Sequence, residues 1–181
     1  MSNLALLGGE PVSPATRLAE EAVWPPQNET TAKRLNDVYF SKGWGFGSPV
    51  IDDFAQAFAA YHGVKHGIFM ANGTVTLQVA LAACGIGPGD EVIVPAHTWV
   101  STALAVQYLG ATPVFVDIEH DTLCLDVDKA AAAITAKTRA IIPVHLHGSM
   151  TDMDKVNALA EQHDLKVIED CAQAHGGQWQ G

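Results

Sequence analysis

From Gly67 onward, short apolar runs alternate with stretches in which apolar residues recur at helical spacing, and this alternation constrains the fold more than any other feature. The apolar runs predict strands at 67–71, 91–95, 113–117, 139–145 and 165–170. The stretches between them predict helices at 74–84, 99–109, 127–134 and 154–163. Strands that alternate with helices are typical of βαβ units, in which parallel strands are joined by right-handed crossovers. We therefore predict an α/β fold with a mostly parallel sheet flanked by helices.

The residues before Gly67 follow a different pattern. Glycine and proline recur within residues 1–27, and because both disfavour regular structure, we predict an extended N-terminal arm there that lies on a neighbouring subunit. Apolar residues at helical spacing then predict two helices, from about residue 29 to 40 and from 50 to 61. We assign residues 28–181 to the domain that contains the sheet.

The composition excludes several classes of partner. A chain of 181 residues with 48% apolar and 17% charged residues is ordinary for one globular domain. The net charge of -10 argues against nucleic acid and anionic membrane surfaces, because few basic residues are present to displace counterions. No basic leader is visible, and no apolar run approaches the roughly 20 residues that span a bilayer. The three cysteines lack the spacing of a disulfide framework, so we expect a cytoplasmic protein.

Acidic and amide side chains follow the last predicted strand. The apolar run Val167-Ile168 stops at Glu169 and Asp170, and Gln173 comes three residues later. In open α/β sheets ligands bind at the carboxyl ends of the strands, so Asp170 and Gln173 can both face one crevice. A carboxylate at this edge suits a buried cation. The same pattern is also found in a solvated acidic turn after a strand.

The first two strand-to-helix junctions carry further candidates. Gly73 and Thr74 open a predicted helix, where free backbone N–H groups and the positive end of the helix dipole favour an anion such as phosphate. Many helices begin with such a cap and bind nothing. At the second junction Trp99 lies near the first turn of the next helix, where a flat aromatic ring can stack on a heteroaromatic ligand or pack into the core.

Histidine and cysteine residues cluster near the last two predicted strand ends. His145, His147, Cys171 and His175 suggest a zinc site, but their spacing matches no common structural zinc motif. Histidines that line a polar crevice explain the pattern better, and we predict no metal. Cys171 as a nucleophile requires a nearby base that the sequence does not place, and a small packing residue is the alternative.

The run Glu169-Asp-Cys-Ala-Gln-Ala-His-Gly176 resembles the cofactor motif of the DegT/StrS family, which are pyridoxal-phosphate-dependent aminotransferases that act on keto-sugars and cyclitols. The resemblance implies that Asp170 holds a proton on the pyridine nitrogen of the cofactor and that Gln173 hydrogen-bonds the phenolic oxygen of its ring. It also implies that Gly73 and Thr74 bind the cofactor phosphate. By the same resemblance Trp99 stacks on the ring, and His175 is a candidate for contact with substrate.

The resemblance also implies parts that this sequence does not contain. The fold would be the large domain of a fold-type-I, aspartate-aminotransferase-like enzyme, and residues 28–181 would be an incomplete pyridoxal-phosphate-binding domain. In the family a lysine that holds the cofactor covalently follows the Asp-x-x-Gln motif by several tens of residues, and a small C-terminal domain follows it. The chain ends at Gly181, and none of its lysines lies in a matching context. We therefore expect the chain to be inactive alone.

Three interpretations of the function remain open. The chain is half of a naturally split aminotransferase whose second polypeptide supplies the lysine and the small domain, or a fragment of a longer enzyme, or a lysine-less subunit that binds the cofactor or a partner without catalysis. For the two catalytic interpretations the resemblance implies transfer of an amino group from glutamate or glutamine to a keto-sugar or cyclitol, in amino-sugar or antibiotic-type biosynthesis. It also implies a site built at a dimer interface.

Overall fold

The computed structural model describes residues 28–43, 45 and 47–180. The predicted arm over residues 1–27 lies outside the described residues. The chain divides after Gly67 into two compact units, and the assignment of residues 28–181 to one domain stays a prediction. Within the described residues, no helix has the length and apolar character needed to cross a membrane.

The first unit contains both helices predicted there. Helix α1 spans Glu29–Ser41 and begins at Asn28, whose side-chain oxygen accepts a hydrogen bond from the Thr31 N–H at 2.8 Å. Such a cap satisfies one of the backbone donors that have no partner within a helix. Helix α2 spans Pro49–Tyr61, and a proline in its first turn suits a position where no backbone donor is needed.

The second unit alternates helices with strands as the sequence predicts. Its elements in chain order are α3 (Gly73–Ala83), β1 (Glu91–Pro95), α4 (Ser101–Tyr108), β2 (Thr112–Val116), α5 (Val127–Ala132), β3 (Thr138–Ile141), a single 3₁₀ turn (Leu146–Gly148), α6 (Met153–His163) and β4 (Lys166–Val167). The four strands form one parallel sheet in the order β2-β1-β3-β4. The α/β class and the mostly parallel sheet are therefore confirmed.

Side chains of the central strand alternate between two cores. Val92 and Val94 of β1 pack with residues of α3 and α4, whereas Ile93 packs on the opposite face with residues of α5 and α6. All three side chains are fully buried. Burial of an aliphatic side chain contributes about 1.5–3 kcal/mol, so both faces of the sheet are held by helices. This arrangement explains why the strand appears in the sequence as a continuous apolar run.

The strand predicted at residues 67–71 is absent from the structure. These residues adopt no regular hydrogen-bonded structure, and Ile68 is 77% exposed. An apolar run becomes a strand only where a neighbouring strand satisfies its backbone N–H and C=O groups. The described sheet, which consists of β1 to β4, provides no neighbour for this run.

The last two strands are shorter than predicted because a proline interrupts the pairing. Regular pairing of β3 ends at Ile141, and Pro143 has no backbone N–H to donate. The segments that follow β3 and β4 nevertheless stay adjacent as far as a parallel bridge between Val144 and Asp170. The His145 N–H donates to the Asp170 carbonyl at 3.1 Å, and the Asp170 N–H donates to the Pro143 carbonyl at 2.9 Å. These two bonds place Asp170 at the carboxyl edge of the sheet.

Candidate functional site

The first turn of α4 makes contact with two parts of the candidate site that are far apart in sequence, Thr74 and Asp170. The Thr74 hydroxyl at the start of α3 donates to the Ser101 hydroxyl at 2.8 Å. The Thr102 hydroxyl donates to Oδ2 of Asp170, beyond β4, at 3.1 Å. Because Ser101 and Thr102 are adjacent in sequence, Thr74 and Asp170 both lie beside the same helix start. The structure therefore brings these two predicted residues into one region.

Trp99 belongs to the turn that leads into this helix start. The backbone N–H of Thr102 donates to the Trp99 carbonyl at 3.1 Å, and the Thr98 and Thr102 hydroxyls lie 3.1 Å apart. Thr102 is fully buried, so its contacts fix the loop in position. The Trp99 side chain is 72% exposed. It is not a core residue in this structure, and its ring is accessible to a ligand.

The start of α3 presents backbone donors to an open space. The Asn72 side-chain oxygen accepts a hydrogen bond from the Val75 N–H at 3.0 Å, which leaves the preceding N–H groups of Gly73 and Thr74 available to another acceptor. A Cβ atom built on Gly73 would meet no atom within 4 Å. A ligand can therefore approach the backbone at Gly73 without a side chain in between. Together with the helix dipole, these donors suit an anionic group.

Asp170 is held by donors on both of its carboxylate oxygens. Oδ2 accepts the Thr102 hydroxyl, and Oδ1 accepts the Ala172 N–H at 3.2 Å. The residue is half-buried. A carboxylate fixed in this way has one defined orientation, and it can offer its negative charge to a cationic group that reaches the same edge.

Gln173 is oriented by a backbone contact that the sequence did not predict. Its side-chain oxygen accepts the His147 N–H at 2.9 Å, so its amide nitrogen is left to donate to an acceptor oxygen. His147 lies in the 3₁₀ turn with φ of 55°, a left-handed conformation that is uncommon outside glycine. The rings of His147 and His97 have centroids 6.5 Å apart. His175 is exposed and stays a predicted substrate contact.

A second cluster lies next to Asp170 in the sequence. The fully buried imidazole of His145 lies between two hydrogen bonds: its Nε2 is 2.9 Å from Oε2 of Glu169, and its Nδ1 accepts the Thr151 N–H at 3.1 Å. The Cys171 sulfur belongs to the same group, since one polar atom from each of His145, Glu169 and Cys171 lies within 4.8 Å of the other two. The structure thus unites His145 and Cys171, and it adds Glu169, which the sequence analysis did not connect with them.

The electrostatics of this cluster centre on the imidazole. Cys171 and, second to it, Glu169 raise the pKa of His145 from 6.5 to about 9. In return, the hydrogen bond from His145 lowers the pKa of Glu169. The Thr151 N–H opposes the change at His145, because an imidazolium would carry a proton on Nδ1 that faces this donor. The hydrogen bonds with Cys171 and Glu169 therefore outweigh the burial of the ring, which lowers the pKa of His145.

The hydroxyl residues at the start of α4 were missed by the sequence analysis. Thr98, Ser101 and Thr102 lie within five residues of one another, directly after a buried strand. Hydroxyl groups at a strand-to-helix junction are ordinary helix-capping residues, so the pattern alone does not indicate contacts with α3 or with Asp170. The sequence carries no signal for the contact between Thr98 and Thr102, because Thr98 lies in a bend before α4 and helical spacing does not apply to it.

Comparison with known proteins identifies the group to which this site belongs. The sequence profile of the DegT/DnrJ/EryC1/StrS aminotransferase family matches residues 25–181. The chain belongs to this family. The chain is 43% identical over 185 residues to the L-glutamine:2-deoxy-scyllo-inosose aminotransferase of Streptomyces paromomycinus. That alignment covers 99% of this chain and 43% of the relative, so the chain spans less than half of the length of this relative.

Solved structures of other proteins share the fold of this chain. The aminotransferase from Psychrobacter cryohalolentis is similar with a TM-score of 0.85 and 41% identity, over 88% of this chain and 40% of that one. The Bacillus subtilis protein ntda, solved with bound cofactor PMP, is similar with a TM-score of 0.79 and 36% identity, over 83% of this chain and 35% of that one. The DegT/StrS resemblance and the fold of a fold-type-I aminotransferase large domain are therefore confirmed.

Proposed function

We propose that this family member carries the cofactor-binding part of a pyridoxal-phosphate-dependent aminotransferase. The observation that carries the proposal is the convergence of Thr74 and Asp170 on adjacent residues of α4, two residues after Trp99, whose side chain is exposed. Donors for an anion, a flat aromatic residue and a fixed carboxylate are brought together around the start of α4. A phosphorylated, cationic heterocycle requires this combination of groups.

The residues fit the chemical groups of the cofactor one by one. In this proposal Gly73 and Thr74 hold the phosphate through backbone N–H groups, and Trp99 packs against one face of the ring. Asp170 keeps the pyridine nitrogen protonated, and Gln173 donates its amide N–H to the phenolic oxygen. When bound, the cofactor supplies an electron-withdrawing ring that stabilises negative charge at the carbon that exchanges the amino group.

The relatives support a substrate class. Because the Streptomyces paromomycinus relative is named for L-glutamine and 2-deoxy-scyllo-inosose, we propose glutamine or glutamate as the amino donor and a cyclitol ketone or keto-sugar as the acceptor. Such a reaction belongs to amino-sugar or antibiotic-type biosynthesis. We propose His175 as a substrate contact, because it follows Gln173 by two residues in the same turn region.

The complete enzyme requires polypeptide in addition to these residues. We propose that a second polypeptide supplies the covalent lysine and the small domain, with a continuous longer chain as the alternative. In either case we propose that residues 28–181 act as part of the large domain and that the enzyme is a cytoplasmic dimer. The chain spans only 43% of its relative, which fits both alternatives equally.

Binding of pyridoxamine 5′-phosphate to the purified chain tests the site, because this form of the cofactor needs no covalent bond to lysine. Isothermal titration calorimetry should detect binding that the Asp170→Asn substitution weakens by at least about tenfold, since it removes a charge-assisted contact. Asp128→Asn, an exposed change on α5, is the matched control and should leave the affinity unchanged. Equal affinities for the Asp170→Asn and Asp128→Asn variants would refute the assignment of Asp170.

A second experiment tests the reaction. The chain is mixed with a polypeptide that contains the family lysine and small domain, and amination of 2-deoxy-scyllo-inosose with L-glutamine is followed by mass spectrometry. Product formation only with both polypeptides supports the proposed split enzyme. Binding of the cofactor without product in any pairing would instead identify a non-catalytic, cofactor-binding subunit.

A further inference from the structure

One fully buried imidazole, that of His145, lies outside the set of residues assigned to the cofactor. Polar groups contact both of its ring nitrogens: Nε2 lies 2.9 Å from Oε2 of Glu169, and Nδ1 accepts the Thr151 N–H at 3.1 Å. Since an ionised carboxylate can only accept a hydrogen bond, Nε2 is the donor to Glu169. The ring therefore connects a backbone N–H on one side with a carboxylate on the other.

A metal ion would be a different explanation for this group, because the Cys171 sulfur lies within 4.8 Å of the polar atoms of His145 and Glu169. Coordination through Nε2 would leave the proton of the imidazole on Nδ1. That proton would face the Thr151 N–H, which is itself a donor. Histidine ligands of metals normally donate through the second ring nitrogen, so this geometry suits a hydrogen-bonding role better than coordination.

The contact with Thr151 fixes the orientation of the ring. Thr151 is itself buried, and its hydroxyl donates to the Val144 carbonyl at 3.3 Å, next to His145. Thr151 is thus bound to Val144 through its side chain and to His145 through its N–H. Close packing leaves a fully buried ring little freedom to adopt another rotamer. The imidazole is therefore a rigid support for the carboxylate that binds its Nε2.

The contact with Glu169 acts on the next residue, Asp170. Backbone bonds hold Asp170 along one edge: its N–H donates to the Pro143 carbonyl at 2.9 Å, and its carbonyl accepts the His145 N–H at 3.1 Å. A segment held along one edge can still rotate about that edge unless side chains restrain it on both faces. Successive side chains of an extended chain point to opposite sides, so Glu169 binds His145 on one face and Asp170 binds the Thr102 hydroxyl on the other. The two side-chain contacts together prevent this rotation.

We propose that His145 is a positioning residue for the cofactor site, and that it fixes the orientation of the Asp170 carboxylate through its hydrogen bond with Glu169. In this assignment His145 contacts neither cofactor nor substrate, and it acts only through Asp170. The inference rests on the proposed function, because it names further residues that shape the same site.

Glu169→Ala is the mildest test, because nearly half of the Glu169 side chain is exposed and the imidazole stays in place. The affinity for pyridoxamine 5′-phosphate, measured by isothermal titration calorimetry, should fall about three- to fivefold, since a hydrogen bond to a charged group is lost. His145→Asn keeps an acceptor for the Thr151 N–H but removes Nε2, so it should weaken binding as Glu169→Ala does. Circular dichroism establishes that both variants are folded.

Two further variants show whether the hydrogen bond itself matters. Glu169→Gln retains an acceptor for Nε2, and its affinity should stay within about twofold of that of the unsubstituted chain. Glu161→Ala, an exposed change on α6, is the matched control and should leave the affinity unchanged. A Glu169→Gln variant that binds as weakly as Glu169→Ala would contradict a role for this hydrogen bond.

A double-mutant cycle separates the positioning of Asp170 from a general loss of stability. If Glu169 acts through the Asp170 carboxylate, Glu169→Ala should weaken binding by less than about twofold in the Asp170→Asn background. An equal fall in both backgrounds would overturn the proposal. A Glu169→Ala variant that loses stability in urea but keeps its affinity would also overturn it.

Amide exchange in the chain without cofactor tests the positioning independently of the proposed function. The Ala172 N–H donates to Oδ1 of Asp170 at 3.2 Å, so its exchange with solvent, followed by NMR, reports on the orientation of this carboxylate. The exchange rate should rise about three- to fivefold in Glu169→Ala and stay unchanged in Glu161→Ala, and equal rates would overturn the inference. If pyridoxamine 5′-phosphate does not bind the unsubstituted chain, the proposed function fails, and exchange at Ala172 alone decides the role of His145.

Discussion

Replacement of Thr102 by valine removes the hydroxyl that holds Asp170 while it preserves the shape of a fully buried side chain. A hydrogen bond to a charged group contributes about 1.5–3 kcal/mol, and the unpaired carboxylate oxygen retains access to water because Asp170 is half-buried. The new methyl group also gains some favourable burial. We therefore expect Thr102→Val to lower the free energy of unfolding by about 1–2 kcal/mol.

The effect of Thr102→Val on cofactor affinity tests the proposed role of Asp170 more directly than its effect on the free energy of unfolding. Without the Thr102 hydroxyl, the Ala172 N–H is the one donor that the Asp170 carboxylate keeps among the described residues. The carboxylate then loses its single orientation, so the affinity for pyridoxamine 5′-phosphate should fall by about three- to tenfold. Urea unfolding and isothermal titration calorimetry measure the two quantities. Thr98→Val is the matched control, because it removes the partner of Thr102 but leaves the bond to Asp170 in place. Equal stability and equal affinity in both variants would refute the reasoning.

Three further predictions concern separate features. Gly73→Ala should leave the free energy of unfolding unchanged or raise it by up to about 0.5 kcal/mol, yet it should weaken binding of pyridoxamine 5′-phosphate because the new Cβ enters the open space at the helix start. Urea unfolding should therefore show no loss of stability, while calorimetry shows weaker binding, and unchanged affinity would contradict the assignment of Gly73. The raised pKa of His145 and the lowered pKa of Glu169 imply that their contribution to stability is complete between about pH 4.5 and 6.5, is lost as pH rises through about 9, and is lost in acid as Glu169 becomes protonated. Because Glu169 is nearly half exposed, we expect the free energy of unfolding to fall by only about 1–2 kcal/mol more in the unsubstituted chain than in its Glu169→Gln variant between pH 6.5 and 9.5. Equal falls in urea titrations would contradict the stabilising interaction between Glu169 and His145. Gly67→Ala should destabilise the first unit by more than about 1 kcal/mol, since its Cβ would collide with the Ala55 carbonyl, and a melting temperature equal to that of the unsubstituted chain would exclude this clash.

The strand that is buried on both faces of the sheet was predicted correctly from the sequence. Strand β1 was assigned with the correct bounds, because an apolar run that is buried on both faces produces the same pattern in sequence and in space. The run at 67–71 was equally apolar but did not become a strand. Apolar character reports a tendency to be buried, whereas strand formation also requires a partner backbone that the sequence pattern does not specify.

The sequence analysis found those site residues whose polar side chains are unusual at their position in the chain. Asp170 and Gln173 stand out because polar groups directly follow a buried strand. The contacts that orient them were not predictable, since Thr102 is 68 residues from Asp170 and His147 is 26 residues from Gln173. Such bonds depend on how distant segments pack, and His147 contributes a backbone N–H that any residue type other than proline would offer.

Three consecutive residues after β4, Glu169 to Cys171, contact two different groups of side chains. Glu169 and Cys171 reach the imidazole of His145, while Asp170, between them, reaches Thr102. This separation follows from the pleat of an extended chain, which directs successive side chains to opposite sides. Loss or gain of one residue upstream would exchange the two sets, so that the wrong carboxylate would face the helix start. Single substitutions can therefore adjust either neighbourhood independently, but the length of this short segment has to stay fixed for both to exist.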